Sequence, residues 1–189
     1  SGTLSTPGSP TSGVTGLAVG ANVFQWSINN GICGSSDDQV TVLVYSVNAP
    51  VANAGPDQSI CTPASTVTMA GSGLTAPASG TWSLISGSGI IANAGSATTS
   101  ITGLAVGTNV FQWTVNNGPC GTTSDQVSIL VYDQSNPVAN AGPDQELCRP
   151  TFNTVLQGSS LIAPAQGVWS VITGTAVFAN ASSPTTAVS

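Results

Sequence analysis

Asn109-Val-Phe-Gln-Trp-Thr-Val115 decides the fold class, because Phe111, Trp113 and Val115 share one face, with Gln112 and Thr114 between them. A period of two marks a strand with one face against a core. Asn117-Gly118 follows as the strongest turn signal of the region. Beyond it Asp125-Gln-Val-Ser-Ile-Leu-Val-Tyr132 alternates again, with Val127, Ile129 and Val131 on one face. Working backwards, Thr98 to Ile101, Gly89 to Ala92, Gly80 to Ile85 and Thr66 to Ala70 are shorter β-rich stretches, separated by Gly, Pro and Asn. No segment keeps a helical period over ten residues. Six or seven short strands in under 90 residues, with Trp on a mid-sequence strand, predict an all-β chain built on an Ig-like β-sandwich.

The same pattern recurs every 87 residues. Val51 to Gln58 returns as Val138 to Gln145, and Thr15 to Gly20 returns as Thr102 to Gly107. Cys33, Asp38 and Tyr45 return as Cys120, Asp125 and Tyr132, and 28 of the first 50 positions match residues 88–137. Most mismatches exchange like for like, such as Ile101 for Val14, which keeps core volume. The chain therefore divides into a C-terminal part of one unit (1–50), a whole unit (51–137) and an N-terminal part of a further unit (138–189). The connections Ser46 to Pro50 and Asp133 to Pro137 are five residues ending in Pro. They are short and restricted, so neighbouring sandwiches are expected end to end with limited bending. The two partial units, lacking half a core, are expected to be completed within a longer array or between chains.

Composition narrows the function. Charged residues are 4% of the chain, with seven acidic side chains, one basic residue (Arg149), no Lys and no His. A net charge of -6 leaves nothing to neutralise phosphates, which argues against nucleic acid and anionic lipid as partners. No apolar run approaches the ~18 residues of a membrane-spanning helix. Without His or Lys, Ser-His-Asp and Cys-His sites, a Schiff-base Lys and a His-ligated zinc are all excluded. No cofactor is expected. Arg149 precedes Pro150, so trypsin-like proteases lack a good cleavage site, which suits a protease-rich exterior.

The four Cys point to an oxidising compartment. Cys61 and Cys120 lie in the whole unit, Cys33 and Cys148 at matching positions of the partial ones. A domain that closes its own disulfide gives Cys61–Cys120, with Cys33 and Cys148 pairing outside residues 1–189. The rival arrangement, Cys33–Cys61 with Cys120–Cys148, would staple neighbouring units. Closing the Cys61–Cys120 loop would contribute ~4 kcal/mol in the chain-entropy picture.

The motifs Ala52-Asn-Ala-Gly-Pro-Asp-Gln58, Cys61, Gly80-Thr-Trp82, Thr102-Gly-Leu104, Phe111-Gln-Trp-Thr-Val115, Cys120-Gly121 and Asp125-Gln-Val127 resemble the PKD-like (Ig-like) repeats of very large Bacteroidota surface proteins. Gliding-motility adhesins of the SprB type show that architecture. The resemblance implies PKD-like sandwiches in tandem, export by the type 9 secretion system and service as an adhesin stalk.

Candidate sites are few. Asp57, Asp144 and Asp133, near the ends of units, could contribute to a junctional calcium site; the plainer role for Asp57 and Asp144 is to cap Gly-Pro-Asp turns through backbone N–H groups. Asp37-Asp38 becomes Ser124-Asp125 in the next copy, which argues against paired acid/base chemistry. Asn180-Ala-Ser182 is a formal glycosylation sequon, but the middle copy reads Asn93-Ala-Gly95. Trp26, Trp82, Trp113, Trp169 and Phe111 are expected in the core rather than on a sugar-binding platform. The expected function is non-catalytic: the extracellular, cell-surface stalk of an adhesive filament, whose partners are neighbouring repeats and other copies in that filament. The alternative is a glycan- or protein-binding module of a secreted protein.

Overall fold

The computed structural model describes residues 2–48, 51–135, 138–150 and 152–189. Ala49, Pro50, Asn136 and Pro137, the ends of both linkers, lie outside the described residues. The described chain is all-β. In order, the strands are β1 (Thr3–Leu4), β2 (Val14–Thr15), β3 (Gly20–Asn29), β4 (Ser35–Val44), β5 (Gln58–Cys61), β6 (Val67–Ala70), β7 (Ser79–Ser86), β8 (Ile90–Ile91), β9 (Thr98–Thr102), β10 (Gly107–Asn116), β11 (Thr122–Tyr132), β12 (Thr154–Gln157) and β13 (Thr185–Val188). Helical structure among them is confined to the single 3-10 turns Gly31–Cys33 and Gly118–Cys120.

Seven strands, β5 to β11, build the middle unit as two sheets. One has the order β5-β11-β10-β7, the other β6-β9-β8. β10 and β11 form a long antiparallel hairpin from Gly107↔Val131 to Asn116↔Thr122. The hairpin turns through the 3-10 segment, where Gly118 has a φ of 54° that disfavours residues with a Cβ. β5 pairs with β11 in parallel, Gln58 opposite Ile129 and Cys61 opposite Tyr132. The sequence showed no strand at 58–61. β5 is four residues long and gains its ladder from a strand some seventy positions later.

Alternation along the strands fills the space between the sheets. Phe111, Trp113 and Val115 from β10 and Trp82 from β7 join Val127, Ile129 and Val131 from β11, and Val67, Met69 and Ile101 of the other sheet close over them. Trp82 and Trp113 are cross-strand partners, with ring centroids 5.1 Å apart and planes inclined by 39°. Glycine makes room for them. A Cβ on Gly80 would stand 2.3 Å from the Trp113 ring, and one on Gly71 would stand 3.0 Å from Trp82.

Ala52 to Asp57 ties the beginning of the unit to its last strand. The N–H of Ala52 donates to Thr123 Oγ1 at 2.9 Å, the N–H of Ala54 donates to Asp125 Oδ2 at 2.9 Å, and Asp57 Oδ1 accepts the N–H of Ser128 at 2.8 Å. Gly55 adopts a φ of 83°, with no room for a Cβ against the Ala70 carbonyl. Gln58 Nε2 donates to the Thr68 carbonyl at 3.1 Å, joining the two sheets at their edge. The copy repeats this, with Gln145 Nε2 donating to Val155 O at 3.0 Å.

The flanking residues contain matching pieces. β3 and β4 pair as β10 and β11 do, from Gly20↔Val44 to Asn29↔Ser35. β12 and β13 pair as β6 and β9 do. Residues 2–48 contain no counterpart of β5, β6 or β7, and residues 138–189 none of β10 or β11.

Candidate functional site

Placement of the expected core residues follows that division. Trp82, Trp113 and Phe111 are buried, whereas Trp26 is 40% exposed and Trp169 is only half-buried. Both stand in the partial units, where half a core is expected. Trp26 lies on the two-stranded β3–β4 sheet, with no neighbour equivalent to β7 to cover it. Trp169 holds its backbone in the manner of Trp82, its N–H donating to Ala181 O as that of Trp82 donates to Ala94 O, both at 2.8 Å.

An apolar groove of about 340 Å³ lies beside Trp169, lined also by Ala139, Gly158, Leu161, Gly167 and Pro184. In the middle unit the equivalent positions Ala52, Gly71, Leu74, Gly80 and Ala97 belong to or border the core that contains Trp113, whose ring lies against Gly71 and Gly80. The groove thus corresponds to the space that the Trp113 ring fills in the middle unit, and its shape is explained by packing within a unit.

Asp57 and Asp133 are occupied by hydrogen bonds. Asp57 accepts from Ser128 rather than capping its own turn. Asp133 Oδ1 accepts the N–H of Ser135 at 2.9 Å, the Ser135 hydroxyl at 2.7 Å and the Thr62 hydroxyl at 3.4 Å. The Ser135 hydroxyl, then the Ser135 N–H, hold the Asp133 carboxyl below its ordinary value. Among the described residues no group of three or more His, Cys, Asp or Glu comes together to hold a metal ion, at Asp144 or elsewhere. Asn180 of the sequon accepts the Ser182 N–H at 3.0 Å, as Asn93 accepts that of Gly95 at 3.1 Å, so its local role is an Asx turn.

The cysteines are all exposed and free. Cys61 is paired with Tyr132, the last residue of β11, whereas Cys120 stands in the turn just before the first, Thr122. Ten steps of strand separate those ends by ~33 Å at ~3.3 Å per residue. A disulfide needs Cα atoms within ~7 Å. The expected Cys61–Cys120 bridge is therefore corrected. The rival pairings gain nothing: Cys33 precedes β4 in the first unit whereas Cys61 ends β5 at the far end of the middle one, and Cys120 precedes β11, at the end away from the linker that leads to Cys148.

A polar contact between units does exist. Asn117 Nδ2 donates to the Ser46 carbonyl at 2.8 Å. The Tyr45 ring lies over Gly118, so close that a Cβ there would be 2.5 Å from it. Gly118 is thus required by its φ and by the ring it carries. The first linker therefore touches the β10–β11 turn, at the same end of the middle unit where Ala52 meets Thr123. Sequence reading missed this site, although Asn117-Gly118 was legible as a turn. It also missed Asn109, which is buried. Its Nδ2 donates to Ala105 O at 2.9 Å, and its Oδ1 accepts the Ser88 N–H at 2.8 Å. An Asn inside a β-rich run, repeated as Asn22, was the available signal.

Residues 54–131 match the family model described as K319L-like, PKD domain. The chain is 32% identical over 143 residues to the dyslexia-associated protein KIAA0319-like protein of Mus musculus, covering 69% of this chain and 13% of that protein. It is 30% identical over 155 residues to the dyslexia-associated protein KIAA0319 of Homo sapiens, covering 77% of this chain and 14% of that protein. The chain therefore spans about one seventh of these relatives. The solution structure of the PKD domain from KIAA 1837 protein is 31% identical, covers 47% of this chain and 92% of that one, and superposes with a TM-score of 0.40. Residues 54–131, whose strands β5 to β11 form the two packed sheets, are therefore similar to a PKD domain.

Proposed function

We propose that the chain is a segment of a non-catalytic extracellular stalk, in which PKD-like sandwiches stacked end to end hold a binding region away from a surface. The junction carries this reading: Tyr45 over Gly118 and Asn117 on Ser46 seat the end of one unit on the leading turn of the next. The register of 87 residues supports it, because equal spacing along a shaft is what an unbroken period maintains. The aligned stretches of 143 and 155 residues are longer than one period, so similarity to the relatives runs past a single unit. The near absence of charge suits a shaft whose behaviour is indifferent to salt. Among the described residues no helix is long and apolar enough to cross a membrane.

The relatives named above are mammalian and lend no support to a gliding-motility role or to type 9 export; the stalk reading requires neither. A glycan-binding aromatic platform is disfavoured in the middle unit, whose two tryptophans are interior. Small-angle X-ray scattering tests the proposal. Sandwiches of ~33 Å stacked end to end give a radius of gyration of roughly 25–30 Å, against about 16 Å for a compact chain of this length. A value near the compact limit refutes the stack.

A further inference from the structure

The four cysteines are of two kinds. Cys33 and Cys120 stand in the 3-10 turns before β4 and β11, at the leading end of a unit. Cys61 stands at the end of β5 beside Tyr132, at the trailing end, and Cys148 is its copy. Because a ~33 Å strand separates the two ends, neither kind reaches the other inside one unit. Across a junction the two ends meet. Tyr45 is the copy of Tyr132, and its ring lies on Gly118, two residues from Cys120. A cysteine at the Cys61 position of that first unit would pair beside Tyr45 as Cys61 pairs beside Tyr132. Thr62, the next residue, continues this packing: its N–H donates to Tyr132 O at 2.9 Å and its hydroxyl to Asp133. Ser46 takes the place of Asp133 at the junction, and there its carbonyl holds Asn117.

We propose that disulfides in this repeat join units rather than close them: the trailing cysteine of one unit bonds to the leading cysteine of the next. Cys120 is the acceptor for a preceding unit and Cys61 the donor to a following one. Residues 1–189 contain no trailing cysteine followed by a leading cysteine of the next unit, so the rule forms no bridge among these four. The chemistry is thiol–disulfide exchange. One thiolate attacks the S–S bond of oxidised glutathione, or of a disulfide oxidoreductase, and the second displaces the resulting mixed disulfide. The two cysteines give up two electrons and two protons, and the oxidant leaves as two thiols. Such a bridge would add a second covalent tie between successive sandwiches, so the length released when one unit unfolds under load would be limited.

This inference rests on the end-to-end reading, and the test separates the two. The full chain is extended at its N-terminus by a second copy of residues 51–87, which completes the first unit because residue 1 corresponds to residue 88. It is refolded in a glutathione redox buffer, alkylated, cleaved with chymotrypsin and mapped by mass spectrometry. The expected product links the added cysteine to Cys120 and leaves Cys33, Cys61 and Cys148 alkylated; Cys120→Ser frees the added cysteine. The Cys61→Ser, Cys148→Ser double variant keeps the link. A Cys61–Cys120 peptide, or complete alkylation of a chain whose near-ultraviolet signal shows the Trp82–Trp113 pair folded, overturns the proposal. Free thiols in an elongated particle overturn the bridge alone, whereas a compact particle overturns the stack beneath it.

Discussion

Gly80→Ala is expected to destabilise the middle unit, although replacing glycine by alanine in a strand ordinarily helps. The ordinary gain is about 0.4–1 kcal/mol, from the smaller conformational freedom of the unfolded chain. Here the new Cβ would lie 2.3 and 2.4 Å from two atoms of the Trp113 ring, about 1 Å inside contact distance. The ring has no room to retreat: it is fully buried and packed on Trp82 at 5.1 Å. Overpacking of this kind costs about 1–3 kcal/mol, so a net loss of about 1–2 kcal/mol is expected. Two other glycines grade the effect. Gly71→Ala meets Trp82 and Trp113 at 3.0–3.1 Å and should cost less, while Gly73→Ala meets nothing within 4 Å and should show the ordinary gain. Trp113→Phe removes the benzo edge that Gly80→Ala would strike. It also removes an indole N–H that is buried with no partner, so its own cost should be modest, about 1–2 kcal/mol. Combined with Gly80→Ala it should cost less than the sum of the two, by at least about 1 kcal/mol. Amide exchange at Val127, Ile129 and Val131 reads the middle sheet alone, and every 1.4 kcal/mol is a tenfold change in its rate. A neutral or stabilising Gly80→Ala, or strict additivity with Trp113→Phe, refutes the reasoning.

Asn109→Asp should cost at least about 3 kcal/mol at neutral pH, because it sets a buried carboxylate against the carbonyls of Ala105, Gly107 and Ile129. A denaturation midpoint shifted by less than about 1 kcal/mol contradicts that account. Tyr45→Ala should quicken amide exchange at Asn117 to Gly121 and leave exchange at Ile129 within about 0.5 kcal/mol of the parent; equal slowing or quickening at both places would show that the ring is not a junction contact. Asp133 should titrate below an ordinary carboxylate, because its hydrogen bonds favour the charged form. Its folded value lies below the unfolded one, so its contribution is present above the unfolded value and is lost as pH falls through the folded one. Ser135→Ala should raise the midpoint seen by NMR; no change would assign the shift elsewhere.

Much of the fold was legible because side-chain alternation reports directly on burial. Phe111, Trp113 and Val115, then Val127, Ile129 and Val131, were assigned to one face by period alone, and they form the wall of the core. β5 was not legible. Gln58-Ser-Ile-Cys61 is too short to show a period, and it becomes a strand only because Ala52 to Asp57 is pinned to β11 by Thr123, Asp125 and the Ser128 N–H. Trp26 and Trp169 carried the core signature of their copies, but burial needs the facing strand as well as the residue.

By itself the sequence determined the period of 87, the all-β class, the faces of the long strands and the absence of His and Lys from any chemistry. Those are properties of residue type and order, and they survive whatever the strands pair with. Tertiary structure decided which strand lies beside which, and with it the parallel β5–β11 pairing, the end of the unit on which each cysteine stands and the seating of Tyr45 on Gly118. Alternation names a face but carries no information about the neighbour on either edge. For that reason the cysteines could be counted in the sequence, but only strand pairing could show that Cys61 and Cys120 lie a strand's length apart.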